Sequence, residues 1–366
     1  MRILQVVPHL SKGGAERMVI ELSNALVNSG HSVTLLMAFP VSHALNHQFL
    51  DKRIVVQFAS TYSKNKIIGY IKIPFFLLRH WKSVKKFEVI HCHLTYGLVF
   101  GFLINFFRRI TNEKKLRLIA TCHMVGMGVS RTNRIINERL SYFFDVFALM
   151  AEDAQWRNFI LIKKRKNIQI VNNGISANMW ANIIKQRNSQ DNFRIGTISR
   201  LQSERKPWLF LEVFSQVQKL TLRNVSFVLG GDGPEAESLK FLSKKMNLEK
   251  NLSMPGLVLE PKLIFESLDI YVTLAVEEIT GIAGLEAVFS GIPVIGIQLS
   301  PNYIDGANDW IWSNQDPMIV ARKIVEYIEN PAQLSVIASK QFKIATQKYS
   351  LEPMRDSYLA LYANNF

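Results

Sequence analysis

Cysteine is scarce in this chain of 366 residues, which has Cys92 and Cys122 and no other cysteine. Two cysteines form at most one disulfide, so the chain does not belong to the small domains that disulfides hold together. With 48% hydrophobic and 20% charged residues, it is also unlike collagen and unlike intrinsically disordered chains. The shortage of cysteine favours a reducing, cytoplasmic environment.

A long uncharged apolar run is also lacking. In the N-terminal half the longest such run, Leu94 to Phe107, is shorter than the roughly 20 residues that a helix needs to cross a bilayer. The first apolar run, Ile3 to Val7, stops at Pro8 and predicts a strand rather than a signal peptide. We therefore expect no transmembrane anchor, while binding to a membrane surface stays open.

Acidic residues are few in the first half of the chain. Residues 1–186 contain 26 basic and 9 acidic side chains, whereas the rest contains 18 basic and 20 acidic ones. Such asymmetry favours an anionic partner for one domain: nucleic acid, an acidic bilayer or a phosphorylated acceptor. A basic surface that only keeps the protein soluble is the alternative.

Short β-branched runs alternate with longer segments of helical period, which predicts repeated βα units and parallel sheets. A length of 366 residues suggests two domains, and the polar stretch Ala181 to Asn192 is the predicted linker. The predicted strands are Arg2–Val7, Ser32–Met37, Ile54–Phe58, Val89–His91, Arg117–Thr121, Val146–Met150 and Ile168–Val171, then Arg194–Ile198, Ser226–Leu229, Asn251–Met254, Ile270–Leu274 and Pro293–Ile297.

A glycine turn, Lys12-Gly13-Gly14-Ala15, connects the first strand to the first predicted helix, Ala15 to Ser29. Glycines let backbone N–H groups approach a phosphate or a sugar there, although the same turn also serves as a plain connection. The pattern is not G-x-G-x-x-G, and no acidic residue follows at the spacing of a nicotinamide site.

Three histidines, His91, His93 and His123, lie at the ends of predicted strands. An imidazole in that place can hydrogen-bond a sugar hydroxyl or stabilise charge. A zinc site that includes the cysteines is disfavoured, because alternate strand residues point to opposite faces and Cys92 should point away from its neighbours. A structural histidine with satisfied hydrogen bonds is the other interpretation of His91.

Two cations follow the first strand of the second half. Arg200 comes just after that strand, and Lys206 precedes the helical run Pro207 to Val217. A guanidinium and an ammonium beside a helix N-terminus suit a diphosphate, with Arg205 competing for the role of Lys206. A solvated loop is the alternative.

Two carboxylates stand near a second glycine turn. Glu278 and Glu286 have seven residues between them, and a helix is predicted to start near Ile282, after Gly281. Both carboxylates can then face the same side as the N–H groups of the helix N-terminus. Carboxylates accept hydrogen bonds from paired hydroxyls, which sugars and ribose offer.

Taken in order, these motifs resemble those of the GT-B fold glycosyltransferases, and more narrowly the retaining nucleotide-sugar transferases of glycosyltransferase family four. The matching segments cover nearly the whole chain: Gly13-Gly14, Thr121-Cys122-His123, Val171-Asn172-Asn173-Gly174-Ile175, Ser199-Arg200 with Lys206, Gly230-Gly231-Asp232-Gly233-Pro234, Pro255-Gly256-Leu257-Val258, Glu278 with Glu286, and Gly291-Ile292-Pro293-Val294.

The resemblance implies an α/β protein of the GT-B class, in which two Rossmann-like domains with doubly wound parallel sheets face each other across a cleft. Residues 1–186 would form the acceptor-binding domain and residues 187–345 the nucleotide-sugar-binding domain. A C-terminal helix in residues 346–366 would pack back on the first domain.

The same resemblance implies roles for single residues. Arg200 and Lys206 would hold the donor diphosphate, and His123 and Glu278 would contact the transferred sugar. The other donor-binding residues would be Gly14, Gly231, Val258, Gly281, Ile282, Ala283 and Glu286, the last at the ribose. No metal and no cofactor would be needed, and the sequence contains no Asp-x-Asp. One departure is Ile279-Thr280-Gly281, where the family commonly has Gly-Phe-Gly, so the wall beside the sugar differs.

The implied function is retaining transfer of a hexosyl or N-acetylhexosaminyl group, from a nucleotide sugar that is preferably UDP-linked. The acceptor would be a glycan or a lipid-linked glycan in bacterial surface polysaccharide synthesis, such as capsule or lipopolysaccharide. A nucleotide-sugar epimerase on the same fold is one alternative. A non-catalytic nucleic-acid-binding protein is another, but neither a zinc finger nor an RNP motif appears, and we expect no nucleic acid partner.

Basic and aromatic residues interleave in the segments Lys64 to Lys86 and Phe100 to Lys115. Such a mixture suits an anionic bilayer surface and predicts a peripheral position at the inner face of the cytoplasmic membrane. Amphipathic helices with a solvated basic face are the alternative. The residues concerned include Ile67, Ile68, Phe75, Phe76, Trp81, Phe106 and Phe107 with Lys72, Arg79, Lys82, Lys85, Lys86, Arg108 and Arg109.

Overall fold

A computed structural model describes residues 1–10, 13–38, 49–59, 66–113, 116–123, 131–150, 167–180, 192–275, 281–298 and 311–363. These residues form two compact units, one of Met1–Gly174 with Leu351–Phe366 and one of Ile175–Ser350. The predicted linker lies outside the described residues except for Asn192. The domain limits 1–186, 187–345 and 346–366 stay predictions.

The first unit is built on a parallel sheet of seven described strands, in the order β3-β2-β1-β4-β5-β6-β7. Strands β1, β2 and β5 each carry five consecutive buried residues, as expected where both faces of a parallel sheet are covered. All seven predicted strands are confirmed to within two residues at each end. The bounds are β1 Arg2–Val7, β2 Ser32–Met37, β3 Val55–Phe58, β4 Val89–His93, β5 Arg117–Cys122, β6 Val146–Leu149 and β7 Ile168–Ile170.

Helices of the first unit follow the apolar periodicity. The first helix buries the predicted face that includes Met18, Leu22 and Leu26, and the chain turns where Gly30 adopts φ 81°, a conformation that costs little only for glycine. Among the described residues no helix is long and apolar enough to cross a membrane. The helices are α1 Gly14–Asn28, α2 Lys66–Val84, α3 Leu94–Ile110 and α4 Arg131–Leu140, followed by a 3₁₀ turn, Ser141–Phe143.

The second unit contains a parallel sheet of six described strands, in the order β10-β9-β8-β11-β12-β13. The five predicted strands are confirmed, and one was missed. Trp312–Asn314 pairs with residues Ile295–Ile297, but three residues are too few to show an alternating pattern. The strands are β8 Phe193–Ile198, β9 Val225–Gly230, β10 Leu252–Gly256, β11 Ile270–Ala275, β12 Val294–Gln298 and β13 Trp312–Asn314.

Helices pack on this second sheet through an aromatic core. The ring of Phe214 stacks on Phe227 of β9, with 4.7 Å between ring centroids, and both side chains are fully buried. The helices are α5 Trp208–Leu220, α6 Ala236–Lys245, α7 Pro261–Phe265, α8 Ile282–Phe289, α9 Pro317–Glu329 and α10 Ala332–Tyr349, and 3₁₀ turns lie at Ala177–Met179 and Ser203–Arg205.

The last helix, α11 Leu351–Ala363, belongs to the first unit. It buries Met354, Tyr358 and Tyr362 in the same apolar core as β1 and α1. The chain therefore forms the second unit before it completes the first.

In each sheet the direction of chain progression reverses once. The reversal lies between β1 and β4 in the first sheet and between β8 and β11 in the second. In open α/β sheets, ligands bind beyond the carboxyl ends of the strands at such a reversal. These two positions are where functional residues are expected.

Candidate functional site

Most of the predicted donor-binding residues follow the carboxyl ends of four strands in the second sheet. Strands β8, β9, β10 and β11 are parallel neighbours, so their carboxyl ends share one edge. Arg200 follows β8, Gly231 follows β9, Val258 follows β10, and Gly281 precedes α8 beyond β11. The fold thus brings Arg200 and Gly281, which are 81 positions apart, to one edge of one sheet.

The glycine turn after β9 holds the loop that carries Arg200. A Cβ atom on Gly231 would lie 1.8 Å from the Ser199 carbonyl oxygen, and Gly231 has φ 133°. The amide of Leu201 donates to the Asp232 carbonyl at 3.0 Å. The glycines of Gly230-Gly231-Asp232-Gly233 therefore let two backbone segments touch, which fixes the start of the Arg200 loop.

Cations line this loop. Arg200 and Lys206 are exposed, whereas Arg205 is half-buried. Burial, and secondly the charge of Arg200, lower the pKa of the Arg205 guanidinium, so the two guanidinium groups lie near each other. Lys206 has φ 46°, a left-handed conformation that costs energy in a non-glycine residue and is often retained at functional sites. Three cations therefore lie next to the first turn of α5, an arrangement whose charge attracts anions.

Glu286 lies on α8 with its side chain near the end of β8. Glu286 is only 9% exposed. Burial raises the pKa of Tyr271 to about 12, and the charge of Glu286 contributes to the rise. The Tyr271 hydroxyl donates to the Ile198 carbonyl at 3.0 Å, two residues before Arg200. The carboxylate and the cation loop are therefore close to one tyrosine.

Helix α8 begins at the predicted position. Gly281 caps it with φ −64° and ψ 169° and, as a glycine, contributes no side-chain hydrogen bond to the cap. Gly281, Ile282 and Ala283 are exposed or half-buried, so the N–H groups of the first turn can meet an anion. Val258 packs on the end of β9, since its Cγ2 atom lies 2.7 Å from where a Cβ on Gly230 would be. Glu278 lies outside the described residues, and its role stays a prediction.

The three predicted histidines lie near the strand reversal of the first unit. His91 is fully buried and both ring nitrogens are hydrogen-bonded, Nδ1 to the Tyr362 hydroxyl and Nε2 to Thr121, each at 2.7 Å. This is the structural role considered for His91. His123 follows β5, and its Nε2 lies 2.9 Å from His93 Nδ1.

Cys92 points away from the histidines, as strand alternation predicts. Its sulfur lies 3.0 Å from where a Cβ on Gly101 would be, on the α3 side of the sheet. Burial raises the pKa of this thiol, so it stays protonated. Within the described part of the chain, no group of three or more His, Cys, Asp or Glu side chains is placed to hold a metal ion.

The first glycine turn carries an acidic side chain. Gly14 is exposed at the start of α1, and the Glu16 carboxylate folds back so that its Oε2 lies 2.1 Å from where a Cβ on Gly13 would be. Glu16 also lies 3.9 Å from His9 Nδ1. A carboxylate against this turn opposes an anion there, so Gly14 as a phosphate contact stays a prediction.

Sequence reasoning missed Glu16 beside the first glycine turn and Tyr271 near Glu286. It also missed Gln5 and Tyr362, which contact the buried histidines. One signal was available for Gln5, because a glutamine in the middle of the apolar run Ile3–Val7 must find a buried hydrogen-bond partner. For Tyr271 the strand pattern predicts burial and nothing more.

Two family models match consecutive parts of the chain. The model of Glycosyltransferase Family 4 matches residues 12–178, and the model of Glycosyl transferases group 1 matches residues 178–348. Their junction lies four residues beyond Gly174, the last residue of the first unit before α11.

A relative in sequence and a solved structure are also similar to this chain. The Staphylococcus aureus (strain COL) poly(ribitol-phosphate) alpha-N-acetylglucosaminyltransferase is 24% identical over 213 residues, which are 56% of this chain and 43% of that protein. This chain therefore spans less than half the length of that relative. Anabaena HepE, solved with UDP and glucose, superposes with a TM-score of 0.78 at 18% identity over 100% of both chains.

A mutant of S. aureus TarM, solved with Fondaparinux, alpha-GlcNAc-glycerol and UDP, superposes with a TM-score of 0.73 at 14% identity over 99% of this chain and 100% of that one. At such low identity these structures show the fold, which is the predicted GT-B class. By its family models and its fold, the chain belongs to the GT-B glycosyltransferases of family four.

Proposed function

We propose that the protein transfers a sugar, with retention of configuration, from a UDP-sugar to a glycan or lipid-linked acceptor of a bacterial surface polysaccharide. The observation that carries the proposal is the set of Arg200, Arg205, Lys206 and Glu286 around one sheet edge in the second unit. HepE and the TarM mutant were solved with UDP, and the S. aureus relative is named for N-acetylglucosaminyl transfer, which supports a UDP-linked donor.

The chemistry follows from charge. When the glycosidic bond to a nucleotide diphosphate breaks, negative charge builds on the departing diphosphate. Arg200 and Lys206, with the N–H groups of Ile282 and Ala283, would stabilise that charge, and Glu286 would accept hydrogen bonds from the ribose hydroxyls. Because the cations neutralise the diphosphate, we propose that the reaction needs no metal ion and no cofactor.

The transferred sugar needs contacts of its own. We propose His123 of the first unit and Glu278 of the second for that role, as the resemblance implies. The amide groups near Gly231 and the backbone around Val258 would bound the phosphates and the base. Retention of configuration would follow a front-face attack in which the departing phosphate takes the proton of the acceptor hydroxyl.

The proposal is tested by a thermal-shift panel of UDP-, GDP-, ADP- and dTDP-sugars, each with and without EDTA. A ligand at 100 times its Kd stabilises the folded state by about 2.7 kcal/mol, so a UDP-sugar is expected to raise the Tm by about 5 °C or more, equally with EDTA. A panel in which no nucleotide sugar raises the Tm would contradict the proposal. Sugar interconversion without acceptor would favour the epimerase alternative.

We also propose that the first unit docks on an anionic membrane through α2 and α3. Helix α2 exposes an apolar row at helical spacing, Ile68, Ile71, Phe75 and Leu78, which a helix packed only on its own sheet does not require. Helix α3 exposes Phe106 and Ile110. Exposed cations accompany them: Arg79, Lys82, Lys86 and Arg109.

The structure corrects the composition of this surface. Trp81 is buried, and Phe76 and Phe107 pack against the same core rather than outward. Arg108 forms a bidentate pair with Asp145 at 2.6 and 2.7 Å, and Lys85 binds Glu113 at 2.9 Å. Those five side chains are engaged within the first unit, so the proposed surface consists of the exposed apolar and basic side chains of α2, α3 and Lys86 named above.

Vesicle sedimentation tests this surface. The protein is expected to sediment with vesicles rich in anionic lipid at low salt and to be released at high salt. Phe75→Glu removes an apolar side chain that is 67% exposed and adds a repelled charge, so partitioning should fall by at least about tenfold. The matched control is Phe241→Glu, at a phenylalanine of the second unit that is 62% exposed. Equal binding to neutral vesicles, or equal loss in both variants, would refute the surface.

A further inference from the structure

A chain of hydrogen bonds inside the first unit links His123 to the last helix. His123 Nε2 lies 2.9 Å from His93 Nδ1, and His93 Nε2 lies 2.5 Å from Gln5 Oε1. Gln5 Nε2 lies 3.4 Å from the hydroxyl of Tyr362, which in turn lies 2.7 Å from His91 Nδ1. Four elements that are remote in sequence, β1, β4, the end of β5 and α11, are thus connected through side chains.

The three imidazoles in this hydrogen-bond network are neutral. Burial lowers the pKa of His91 and His93 well below the usual value, and it lowers the pKa of His123 to about 3. A neutral imidazole has one N–H donor and one acceptor nitrogen. Along this hydrogen-bond network, the donor must therefore lie on the same side of every hydrogen bond, so that each group accepts from one neighbour and donates to the next.

The amide of Gln5 sets that direction. Its Nε2 group donates to Tyr362, and its Oε1 atom accepts from His93 Nε2. His93 then has no proton on Nδ1, so His93 Nδ1 accepts from the Nε2–H group of His123. A reversed amide would reverse each of these bonds, because an NH₂ group cannot accept.

This direction leaves His123 with a lone pair on Nδ1. That atom is buried and has no hydrogen-bond partner among the described residues. Buried polar atoms are nearly always satisfied, so the atom is suited to a ligand that donates a hydrogen bond. A sugar hydroxyl is such a donor, whereas a phosphate oxygen is not.

We propose that Gln5 and Tyr362 are positioning residues, which hold His123 in the tautomer with its proton on Nε2 and so present Nδ1 as the acceptor for a hydroxyl of the donor sugar. The sugar contact rests on the proposed function. The tautomer itself does not, because every group that sets it lies within the first unit.

The substitution Tyr362→Phe tests the proposal, because it removes only the hydroxyl that holds the Gln5 amide. The matched control is Tyr358→Phe, one turn earlier on the same helix. The Tyr358 hydroxyl contacts Thr121 Oγ1 at 2.9 Å. Thr121 is joined to the hydrogen-bond network through His91, so Tyr358 does not contact Gln5 or His123. Both tyrosines are buried, so the two variants lose equivalent groups and differ in their connection to His123.

Nitrogen-15 NMR of histidine-labelled protein reports which imidazole nitrogen carries the proton, and a His123→Gln variant assigns the resonances. In the wild-type protein His123 is expected to carry the proton on Nε2. Tyr362→Phe is expected to give a mixture of tautomers and to lower kcat/KM for sugar transfer by about 3- to 10-fold, with an unchanged Kd for UDP, which lacks the transferred sugar. Tyr358→Phe is expected to leave the His123 tautomer unchanged.

A wild-type His123 with its proton on Nδ1 would overturn the proposal, since the Gln5 amide would then be reversed. An unchanged tautomer in Tyr362→Phe would also overturn it. Failure of the proposed function would look different, as the wild-type protein would transfer no sugar from any nucleotide while the tautomers, which are measured without substrate, could still be as assigned.

Discussion

Replacing Arg200 or Lys206 with alanine is expected to lower kcat/KM for sugar transfer by about 100- to 1,000-fold, the effect of removing one preorganised group that stabilises developing negative charge. Both side chains are exposed and leave no buried cavity when truncated, so the second unit should stay folded. A stopped assay of UDP release with each purified variant measures the change.

The control for this prediction is Lys219→Ala. Lys219 is an exposed lysine on α5, the helix that begins next to Lys206, but it lies at the other end of that helix, near the amino end of β9. Its loss changes the net charge equally without touching the cation loop. Wild-type rates in Arg200→Ala and Lys206→Ala, or an equal fall in Lys219→Ala, would contradict the assignment of the diphosphate site.

Truncating Glu286 is expected to weaken UDP binding by about 10- to 100-fold, because hydrogen bonds to a charged group contribute roughly 1.5 to 3 kcal/mol each. Glu286 is mostly buried and its charge acts on Tyr271, so a ribose that binds there meets a carboxylate already held in place. Titration calorimetry of Glu286→Ala with UDP measures the loss, and Glu286→Gln should lose less because its amide oxygen still accepts one hydrogen bond.

Glu249→Ala is the matched variant for Glu286. Glu249 is exposed and precedes the amino end of β10, at the opposite edge of the same sheet. Its removal should leave the Kd for UDP unchanged. If all three variants bind UDP as the wild-type protein does and melt at the same temperature, the ribose contact lies elsewhere.

Periodicity predicted the sheets of this protein because parallel strands are short, apolar and separated by glycines. Strand ends also located Arg200, Gly231 and Gly281, since parallel strands place consecutive loops at one edge. The spacing of the motifs did not show which of Arg205 and Lys206 is exposed, and it did not show where the Glu16 side chain points. Both depend on the local backbone conformation. The left-handed backbone conformation of Lys206 could not be predicted either, because glycine is the residue that usually indicates a positive φ and this position is a lysine.

The connections of Gln5 and Tyr362 could not be predicted for another reason. The two residues are 357 positions apart, and no periodicity relates a strand residue to a helix at the other end of the chain. Trp81 and Phe107 were wrongly predicted to lie on the outer surface. Their helices carry apolar residues on two faces, so the sequence does not indicate which face is buried, and tertiary packing decides which aromatic ring enters the core. Both errors arise where contacts are non-local.

The position of α11 has a consequence for biosynthesis. Its residues Met354, Tyr358 and Tyr362 complete the core that contains β1 and α1, yet the ribosome produces them after the whole second unit. Domains usually fold in the order in which they are translated. Here the nascent chain must keep the apolar surface of its first unit uncovered until the second unit has been synthesised, and loss of α11 would deprive β1 and α1 of a packing partner.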